Sequence, residues 1–390
     1  MTEAHKTQQD LRTLAANIGI DRDPAHGAIM PPIYLSTNYT FAGFNEKRAF
    51  DYSRSGNPTR ALLAEALAAL EGGAGAVVTA TGMAAVDLVL QPLPAGARVI
   101  APHDCYGGTQ RLLNARTQQG RIRVEYIHQG DPAALDTTFA TPADLVLIET
   151  PSNPLMRITD IADVAARAHA AGAKVVADNT FLSPALQRPL TLGADQVIHS
   201  TTKYLNGHSD VVGGVVVSKT PEDAQLMAWW ANCVGTTGAA FDAYLTLRGL
   251  RTLFPRLDQQ QATALALANH LARHPAVSAV HYPGLDSHPG HALAARQQAG
   301  FGAMMSFELK GGVEAVKTFV ANLRLFSLAE SLGGIESLIA HPATMTHAAM
   351  SPEAQAIAGI TPGLLRVSVG LEGRDDLLAA LDVALSGLPA

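Results

Sequence analysis

The chain has 390 residues, which is more than one compact core usually supports, so we expect a large domain and a smaller one. Hydrophobic residues make up 47% and charged residues 16% of the sequence, a balance that indicates a large buried core and argues against disorder. The formal net charge is -6 and no block of lysine or arginine occurs, which argues against binding to nucleic acid or to an anionic membrane. We therefore expect small-molecule partners.

The start of the chain and its two cysteines predict a cytoplasmic location. The segment MTEAHKTQQDLRTLAANIGI is polar and lacks the apolar core of a signal peptide. Apolar runs elsewhere are interrupted before they reach the roughly 20 residues that a membrane-spanning helix needs. Cys105 and Cys233 have neither disulfide nor metal-binding spacing, which fits a reducing compartment.

The N-terminal segment predicts an extended arm, because PPIYLSTNYTF and DYSRSGNPTR are rich in Pro, Ser, Thr and Asn and have no helical period. A helix is predicted to begin at Asn57 and Pro58, since Asn can cap a helix and Pro fits its first position. It is predicted to end at Gly72 and Gly73. Leucines and alanines at helical spacing give this helix one apolar face.

Short β-rich runs follow and alternate with helical segments; they are RVIAPH, RVEYIH, LVLIET, KVVADNT and QVIHSTT. Continuous apolar runs of this kind predict a mainly parallel sheet with helices on its faces. The segment from Asp160 to Gly172 predicts a crossover helix, because it has an acidic start, an Ala and Val stripe and a terminal Gly.

After VVGGVVVS the composition changes to long helices over about residues 239–273. The strands SAVHYPG, GAMMSFEL and LLRVSVG, separated by helices, then predict a smaller α+β domain. We therefore predict three parts: an extended arm over 1–56, an α/β domain over 57–255, and an α+β domain over 256–390.

Asp178 lies at the end of one predicted strand and Lys203 follows a second, so both are expected at the carboxyl edge of the sheet, where open α/β proteins bind ligands. Pyridoxal phosphate needs an amine to form an imine with its aldehyde, and a carboxylate to keep its pyridine nitrogen protonated. Lys203 and Asp178 fit these two roles. A solvated lysine and a turn aspartate are the alternatives for each residue alone, but their joint occurrence favours the cofactor.

The phosphate of such a cofactor also needs donors. Ser200 and Thr202 supply hydroxyls in HSTTK. The turn at Gly82 and Met83 opens a predicted helix, whose free backbone N–H groups bind anions. A simple loop glycine is the alternative for Gly82.

Seven ordered motifs resemble the Cys/Met-metabolism family of pyridoxal-phosphate enzymes, the trans-sulfuration enzymes, over nearly the whole chain. They are DYSRSGNPTR, APHDCYGGTQRL, ETPSNPL, VVADNTF, HSTTKYLNGHSDVVGG, SLAESLGGIESLIAHPATMTH and LLRVSVGLE. The resemblance implies the aspartate-aminotransferase-like fold, type I among pyridoxal-phosphate enzymes. It also implies a homotetramer built as a dimer of dimers.

The resemblance assigns roles to several residues. Tyr106 would stack on the cofactor ring and help deprotonate the substrate amine, with Lys203 the second catalytic residue. Tyr52 and Arg54 would reach the cofactor phosphate of a neighbouring subunit, and Arg366 would hold the substrate α-carboxylate, a task that suits a bidentate guanidinium.

Five further substrate-binding residues are implied by the same resemblance. Asn153, Ser331 and Thr346 would support the cofactor and the carboxylate, while Arg111 would lie near the distal end of the substrate. Local capping or surface bonding is the alternative for these four. Glu330 in LAESLGG matches the acidic residue of the family's γ-synthases and many γ-lyases, which disfavours β-elimination.

The implied reaction is γ-replacement, which forms L-cystathionine from O-succinyl-L-homoserine, or the O-acetyl ester, and L-cysteine. Glu330 does not separate this reaction from γ-elimination to cysteine, 2-oxobutanoate and ammonia, so a γ-lyase or a bifunctional enzyme remains the alternative. Methionine γ-lyase and sulfhydrylase are weaker alternatives; against methionine γ-lyase, Cys105 is not where the reactive cysteine of that group is found.

Three other functional classes fit the sequence less well. A catalytically silent relative would lack one of the key residues, and none is missing. A metal site at His288 and His291, or at His341 and His347, has no carboxylate at supporting spacing, so we predict no metal. A nicotinamide-dependent dehydrogenase would need GxGxxG after a strand, and EGGAGAVV precedes one instead.

Overall fold

A computed structural model describes residues 9–348 and 350–388 of the chain. Its described part contains a seven-stranded and a five-stranded sheet. The strands of the larger sheet are β1 Gly75–Thr79, β2 Ala97–Pro102, β3 Ile122–Ile127, β4 Leu145–Glu149, β5 Lys174–Asp178, β6 Gln196–Ser200 and β7 Gly214–Ser218. The strands of the smaller sheet are β8 Val277–His281, β9 Met304–Leu309, β10 Ser327–Leu328, β11 Leu338–Ala340 and β12 Leu364–Ser368.

Helices surround both sheets. They are α1 Leu11–Ala16, α2 Pro58–Glu71, α3 Gly82–Leu90, α4 Gly107–Gln118, α5 Pro132–Thr138, α6 Ile161–Ala170, α7 Ser183–Leu186, α8 Pro221–Val234, α9 Ala240–Leu250, α10 Leu253–Leu271, α11 His291–Gln297, α12 Gly312–Asn322, α13 Pro352–Ala358 and α14 Arg374–Leu385. No helix among the described residues is long and apolar enough to cross a membrane.

The larger sheet has the strand order β1-β7-β6-β5-β4-β2-β3. Strand β7 is antiparallel to both neighbours, and the pairs from β6 to β3 are parallel. Helices α3, α4 and α8 pack on one face, while α5 and α6 pack on the other. Because both faces are covered, the strands are continuous apolar runs. The predicted mainly parallel sheet is confirmed.

Local sequence signals set the helix ends. The Asn57 side chain accepts a hydrogen bond from the Arg60 backbone N–H at 3.1 Å, and Gly72 ends α2 in the left-handed conformation with φ of 77°. Asp160 caps α6 in the same way, through the backbone N–H of Asp163. Both predicted helices are present in the structure and are confirmed. Their caps satisfy backbone groups that a helix end leaves free.

The smaller sheet has the order β10-β11-β12-β9-β8 and packs against α10, α12 and α14. Strand β12 lies in its middle, is antiparallel to β11 and β9, and is buried along its whole length. This is the second sheet that the C-terminal pattern predicts. It places Arg366 at the centre of a rigid strand.

The predicted division of the chain into parts 1–56, 57–255 and 256–390 remains a prediction. The arm is described from residue 9 and contains the short helix α1 before its extended part. The limit at residue 255 falls in the first turn of α10. Residues 1–8, 349, 389 and 390 of the predicted parts lie outside the described residues.

Substitutions in the core and on the surface are predicted to differ in their effect on the free energy of unfolding. Leu67 on α2 is fully buried in the main hydrophobic cluster, so Leu67→Ala is expected to lower the free energy of unfolding by about 2–5 kcal/mol. Val383 on α14 is exposed, and Val383→Ala should change it by less than about 0.5 kcal/mol. Urea denaturation at one fixed protein concentration measures both values, and equal effects would contradict the assignment of the core.

Candidate active site

A cavity of about 410 Å³ lies where the carboxyl ends of β4, β5 and β6 face the smaller sheet. All but three of the sequence-predicted site residues line it. Those that do are Gly82, Met83, Tyr106, Asn153, Asp178, Ser200, Thr202, Lys203, Glu330, Ser331, Thr346 and Arg366. Residues far apart in the chain are therefore brought to one place, as expected for the switch region of an open sheet.

Asp178 is the last residue of β5 and lines the cavity. Its Oδ1 accepts two hydrogen bonds from Thr180, from the backbone N–H at 3.0 Å and from the hydroxyl at 2.5 Å. Burial raises the pKa of Asp178, and the bonds from Thr180 oppose that shift. A buried carboxyl fixed in this way can accept a further donor from a ligand in the cavity.

Lys203 follows β6 and presents its amine to the cavity. Its Nζ donates to Ser331 Oγ at 2.7 Å. Burial is the main cause that lowers the pKa of Lys203 to about 8; Arg366 lowers it further and Glu330 opposes this. An amine with such a pKa is partly neutral near physiological pH, which makes it available as a nucleophile and as a base.

The N-terminus of α3 forms one wall of the cavity. Thr81 caps it by accepting from the Ala84 backbone N–H at 2.9 Å, and the first amides of a helix have no partner within it. A Cβ atom on Gly82 would lie 2.8 Å from the Cβ of Ser200, so only glycine allows this approach. Helix amides beside the Ser200 hydroxyl suit a phosphate.

Tyr106 precedes α4 and is 43% exposed, with its ring at the cavity. Its backbone N–H donates to Glu149 Oε2 at 2.8 Å. Glu149 ends β4, lies beside Asp178 in the sheet and also lines the cavity. Burial, followed by the charge of Asp178, raises the pKa of Glu149 well above its usual value.

Arg366 is a buried guanidinium on the wall formed by the smaller sheet. Its Nη1 donates to Asn153 Oδ1 at 3.1 Å and its Nη2 to the Ser331 carbonyl at 2.8 Å. Burial lowers the pKa of Arg366 to about 10. Its Nε is buried and has no partner in the described part of the chain. A buried cation with spare donors is a binding site for an anion.

Three predicted site residues do not line this cavity: Tyr52, Arg54 and Arg111. Tyr52 and Arg54 lie on the arm, where Arg54 stacks over the Tyr52 ring and donates to Asn232 Oδ1 at 3.0 Å. Arg111 is exposed on α4. Their predicted contacts with cofactor or substrate stay predictions.

Sequence reasoning missed Glu149, Thr180 and His199, which also line the cavity. Two sequence patterns could have identified Glu149 and Thr180. Glu149 ends the strand LVLIE as Asp178 ends KVVAD, and Thr180 stands two residues after an aspartate, the spacing of an Asx turn. His199 lies 2.7 Å from Glu71 Oε1 in the interior, a contact that no local pattern predicts.

Comparison with known proteins shows to which family the chain belongs. The family model described as Cys/Met metabolism PLP-dependent enzyme matches residues 12–386. The chain belongs to this family. It is 55% identical over 371 residues to cystathionine gamma-synthase of Escherichia coli strain K12, covering 95% of this chain and 96% of that protein.

Two solved structures are similar over almost the full length. Cystathionine gamma synthase from Xanthomonas oryzae pv. oryzae, in complex with cystathionine, has a TM-score of 0.96 and 59% identity, covering 97% of this chain and 98% of that chain. Cystathionine gamma-lyase from Lactobacillus plantarum, complexed with L-serine, has a TM-score of 0.93 and 40% identity, covering 97% and 99%. The predicted α/β fold of type I pyridoxal-phosphate enzymes is confirmed.

Pyridoxal phosphate is the cofactor of this family, and the cavity fits it. Lys203 would supply the amine, Asp178 a buried carboxyl for the pyridine nitrogen, and the α3 N-terminus with Ser200 the donors for the phosphate. No group of three or more His, Cys, Asp or Glu side chains suited to a metal ion occurs within the ranges described.

The role of Lys203 is testable by its removal. Lys203→Ala is expected to abolish the visible absorbance of the bound cofactor and to lower kcat by roughly 100- to 10,000-fold, because no other amine lines the cavity among the described residues. Lys219→Ala, at an exposed position after β7, is the control and should retain both properties. A cofactor band that survives in Lys203→Ala would refute the assignment.

Proposed function

We propose that the chain catalyses γ-replacement, in which O-succinyl-L-homoserine, or its acetyl ester, reacts with L-cysteine to give L-cystathionine and the free acid. The observation that carries this proposal is full-length similarity to γ-synthases at 55% and 59% identity, against 40% for the γ-lyase. The reaction belongs to trans-sulfuration and methionine biosynthesis. It needs one site that holds an amino acid and moves its protons.

Arg366 binds the α-carboxylate of the amino-acid substrate in this proposal. Its hydrogen bonds within the described chain go to an amide and a carbonyl, Asn153 and Ser331, and not to a carboxylate. These two partners fix the plane of the guanidinium. Its remaining N–H groups are free for a charge-assisted bond, which is stronger than a neutral one.

Lys203 moves the protons. Bound pyridoxal phosphate supplies an electron sink for the negative charge that develops on carbons next to the amine. Replacement at Cγ requires protons to leave Cα and Cβ and to be returned after the acyloxy group has left and sulfur has added. Lys203 Nζ suits this task because its pKa of about 8 keeps both protonation states accessible, and Ser331 Oγ holds it at 2.7 Å.

Tyr106 and Asp178 complete the catalytic surroundings. The Tyr106 ring would stack on the cofactor, and its hydroxyl would help deprotonate the incoming amine. Glu149 supports this placement by holding the Tyr106 backbone at the start of α4. Asp178 would hold the pyridine nitrogen, while Ser200 and Thr202, with Gly82 and Met83, would hold the phosphate.

Glu330 sets the reacting carbon by engaging the amine of the longer amino acid. It is exposed, lines the cavity and is the chain neighbour of Ser331. A carboxylate at the rim can hold a distant ammonium group without the desolvation cost of a buried charge. Arg111 is the proposed partner of the succinyl carboxylate, although it does not line the cavity of its own chain.

We also propose that the active site is shared between subunits of a homotetramer that consists of two dimers. Tyr52 and Arg54 lie outside their own cavity, as they must if they serve a neighbour. The arm also exposes large apolar side chains; the most exposed are Ile29, Leu35 and Phe44. A surface of this kind marks a protein interface.

The cytoplasm is the proposed compartment. Both cysteines are free thiols, with Cys105 buried and Cys233 exposed. Free thiols persist where the surroundings are reducing.

Product analysis tests the proposed reaction. The purified holoenzyme is incubated with O-succinyl-L-homoserine and L-cysteine, with the O-acetyl ester in place of the succinyl ester, and with L-cystathionine alone. We expect rapid formation of L-cystathionine from the succinyl ester and little 2-oxobutanoate. Fast release of cysteine and 2-oxobutanoate from L-cystathionine would overturn this reaction in favour of a γ-lyase.

Mixing two inactive variants tests the shared site. Lys203→Ala and Arg54→Ala enzymes are each expected to be impaired. After dissociation and random reassembly, half of the dimers are mixed and each has one intact site, so activity should return to roughly a quarter of the wild-type value. Reassembly of each variant alone is the control. No recovery in the mixture would show that Arg54 does not act across subunits.

A further inference from the structure

A line of hydrogen bonds runs behind Arg366 to a buried histidine. His347 Nε2 lies 3.1 Å from the carbonyl oxygen of Asn153, and Asn153 Oδ1 accepts from Arg366 Nη1 at 3.1 Å. On the other side, His347 Nδ1 lies 2.8 Å from Thr346 Oγ1. His347 does not line the cavity, so any effect on the substrate must pass through its partners.

The partners determine the protonation of the ring. A carbonyl oxygen only accepts, so Nε2 of His347 carries a proton and donates it to Asn153. With Nδ1 unprotonated, the Thr346 hydroxyl donates to it, and all three groups are satisfied by a neutral imidazole. Burial, with the charge of Arg366 as the next cause, lowers the pKa of His347 to about 4, which agrees with a neutral ring.

Asn153 is held on more than one side. Ser306 Oγ donates to the carbonyl of the next residue, Pro154, at 2.6 Å, and the Asn153 carbonyl itself is bound by His347. The Asn153 amide oxygen is then free to orient the guanidinium of Arg366. Without His347 the buried Asn153 carbonyl loses its donor, and the peptide must move to find another.

We propose that His347 is a positioning residue: it fixes Asn153 and, through Asn153, the orientation in which Arg366 receives the substrate carboxylate. This inference rests on the proposed role of Arg366. It gives His347 a part in substrate binding with no contact to substrate or cofactor.

The chain contains a matched control in the same segment. His341 Nδ1 lies 2.8 Å from Thr344 Oγ1 and His341 Nε2 lies 3.1 Å from the Pro362 carbonyl. Its bonding pattern and its burial resemble those of His347, but its carbonyl partner is not the residue that holds Arg366. Loss of His341 therefore reports the structural cost of removing such a histidine.

The experiment measures the kinetics of the holoenzyme with O-succinyl-L-homoserine and L-cysteine for His347→Leu, His347→Gln, His347→Asn and His341→Leu. Gln can place an amide N–H near the position of Nε2, while Asn reaches only the position of Nδ1. We expect His347→Leu and His347→Asn to raise KM for O-succinyl-L-homoserine about tenfold, with a smaller change in kcat and an unchanged cofactor band. The KM of His347→Gln should lie much closer to the wild-type value than that of the Leu and Asn variants. The KM of His341→Leu should stay within about twofold of wild type.

Equal KM values for the Gln and Asn variants would overturn the inference, even if the Leu variant does not fold. Equal KM increases in His347→Leu and His341→Leu would also overturn it, because both would then be structural effects. Arg366→Lys separates this inference from the function on which it rests. A raised KM in Arg366→Lys with normal KM in the His347 variants refutes only the role of His347, whereas normal KM in both refutes the carboxylate site.

Discussion

The hydrogen bond from Lys203 Nζ to Ser331 Oγ joins the two sheets across the cavity. Lys203 follows β6 of the larger sheet, and Ser331 lies between β10 and β11 of the smaller one. Ser331 has φ of 86°, a conformation that costs about 1–3 kcal/mol in a residue other than glycine. The same residue accepts from Arg366 through its carbonyl, so one strained turn aligns the amine and the guanidinium.

The charges around the cavity are separated by sign. Lys203 and Arg366 stand on the side that meets the smaller sheet, and burial lowers the pKa of each. Asp178 and Glu149 end adjacent strands of the larger sheet, and burial raises the pKa of each. None of the four is neutralised by a partner of opposite charge in direct contact within the described residues. A ligand with an anionic group near Arg366 and a protonated nitrogen near Asp178 would therefore reduce the desolvation cost at both ends.

How much the sequence reveals depends on whether a residue's neighbours are local. Asp178 and Lys203 could be predicted because the first ends a β-rich run and the second follows one, and chain direction in a parallel sheet then brings them to the same edge. Gly82 could be predicted as a helix opening, but not its contact with Ser200, which depends on how α3 packs on β6. The motifs placed Asn153 and Arg366 at one site by resemblance only. Their hydrogen bond joins Arg366 on β12 of the smaller sheet to Asn153 in the loop after β4 of the larger one, and no periodicity encodes it.

The site exists only while the two sheets keep their relative position. Among the hydrogen bonds that connect the two sheets and their loops, the one from Lys203 to Ser331 involves the proposed base and the one from Arg366 to Asn153 involves the proposed carboxylate site. Strand β12 is held between β11 and β9, so Arg366 cannot move with the larger sheet unless the smaller sheet moves as well. A rotation between the sheets would therefore stretch both bonds together and would disturb the proposed proton transfer and the proposed substrate binding in the same step. Precision at this site is thus a property of the packing between the sheets, because neither sheet alone carries both groups.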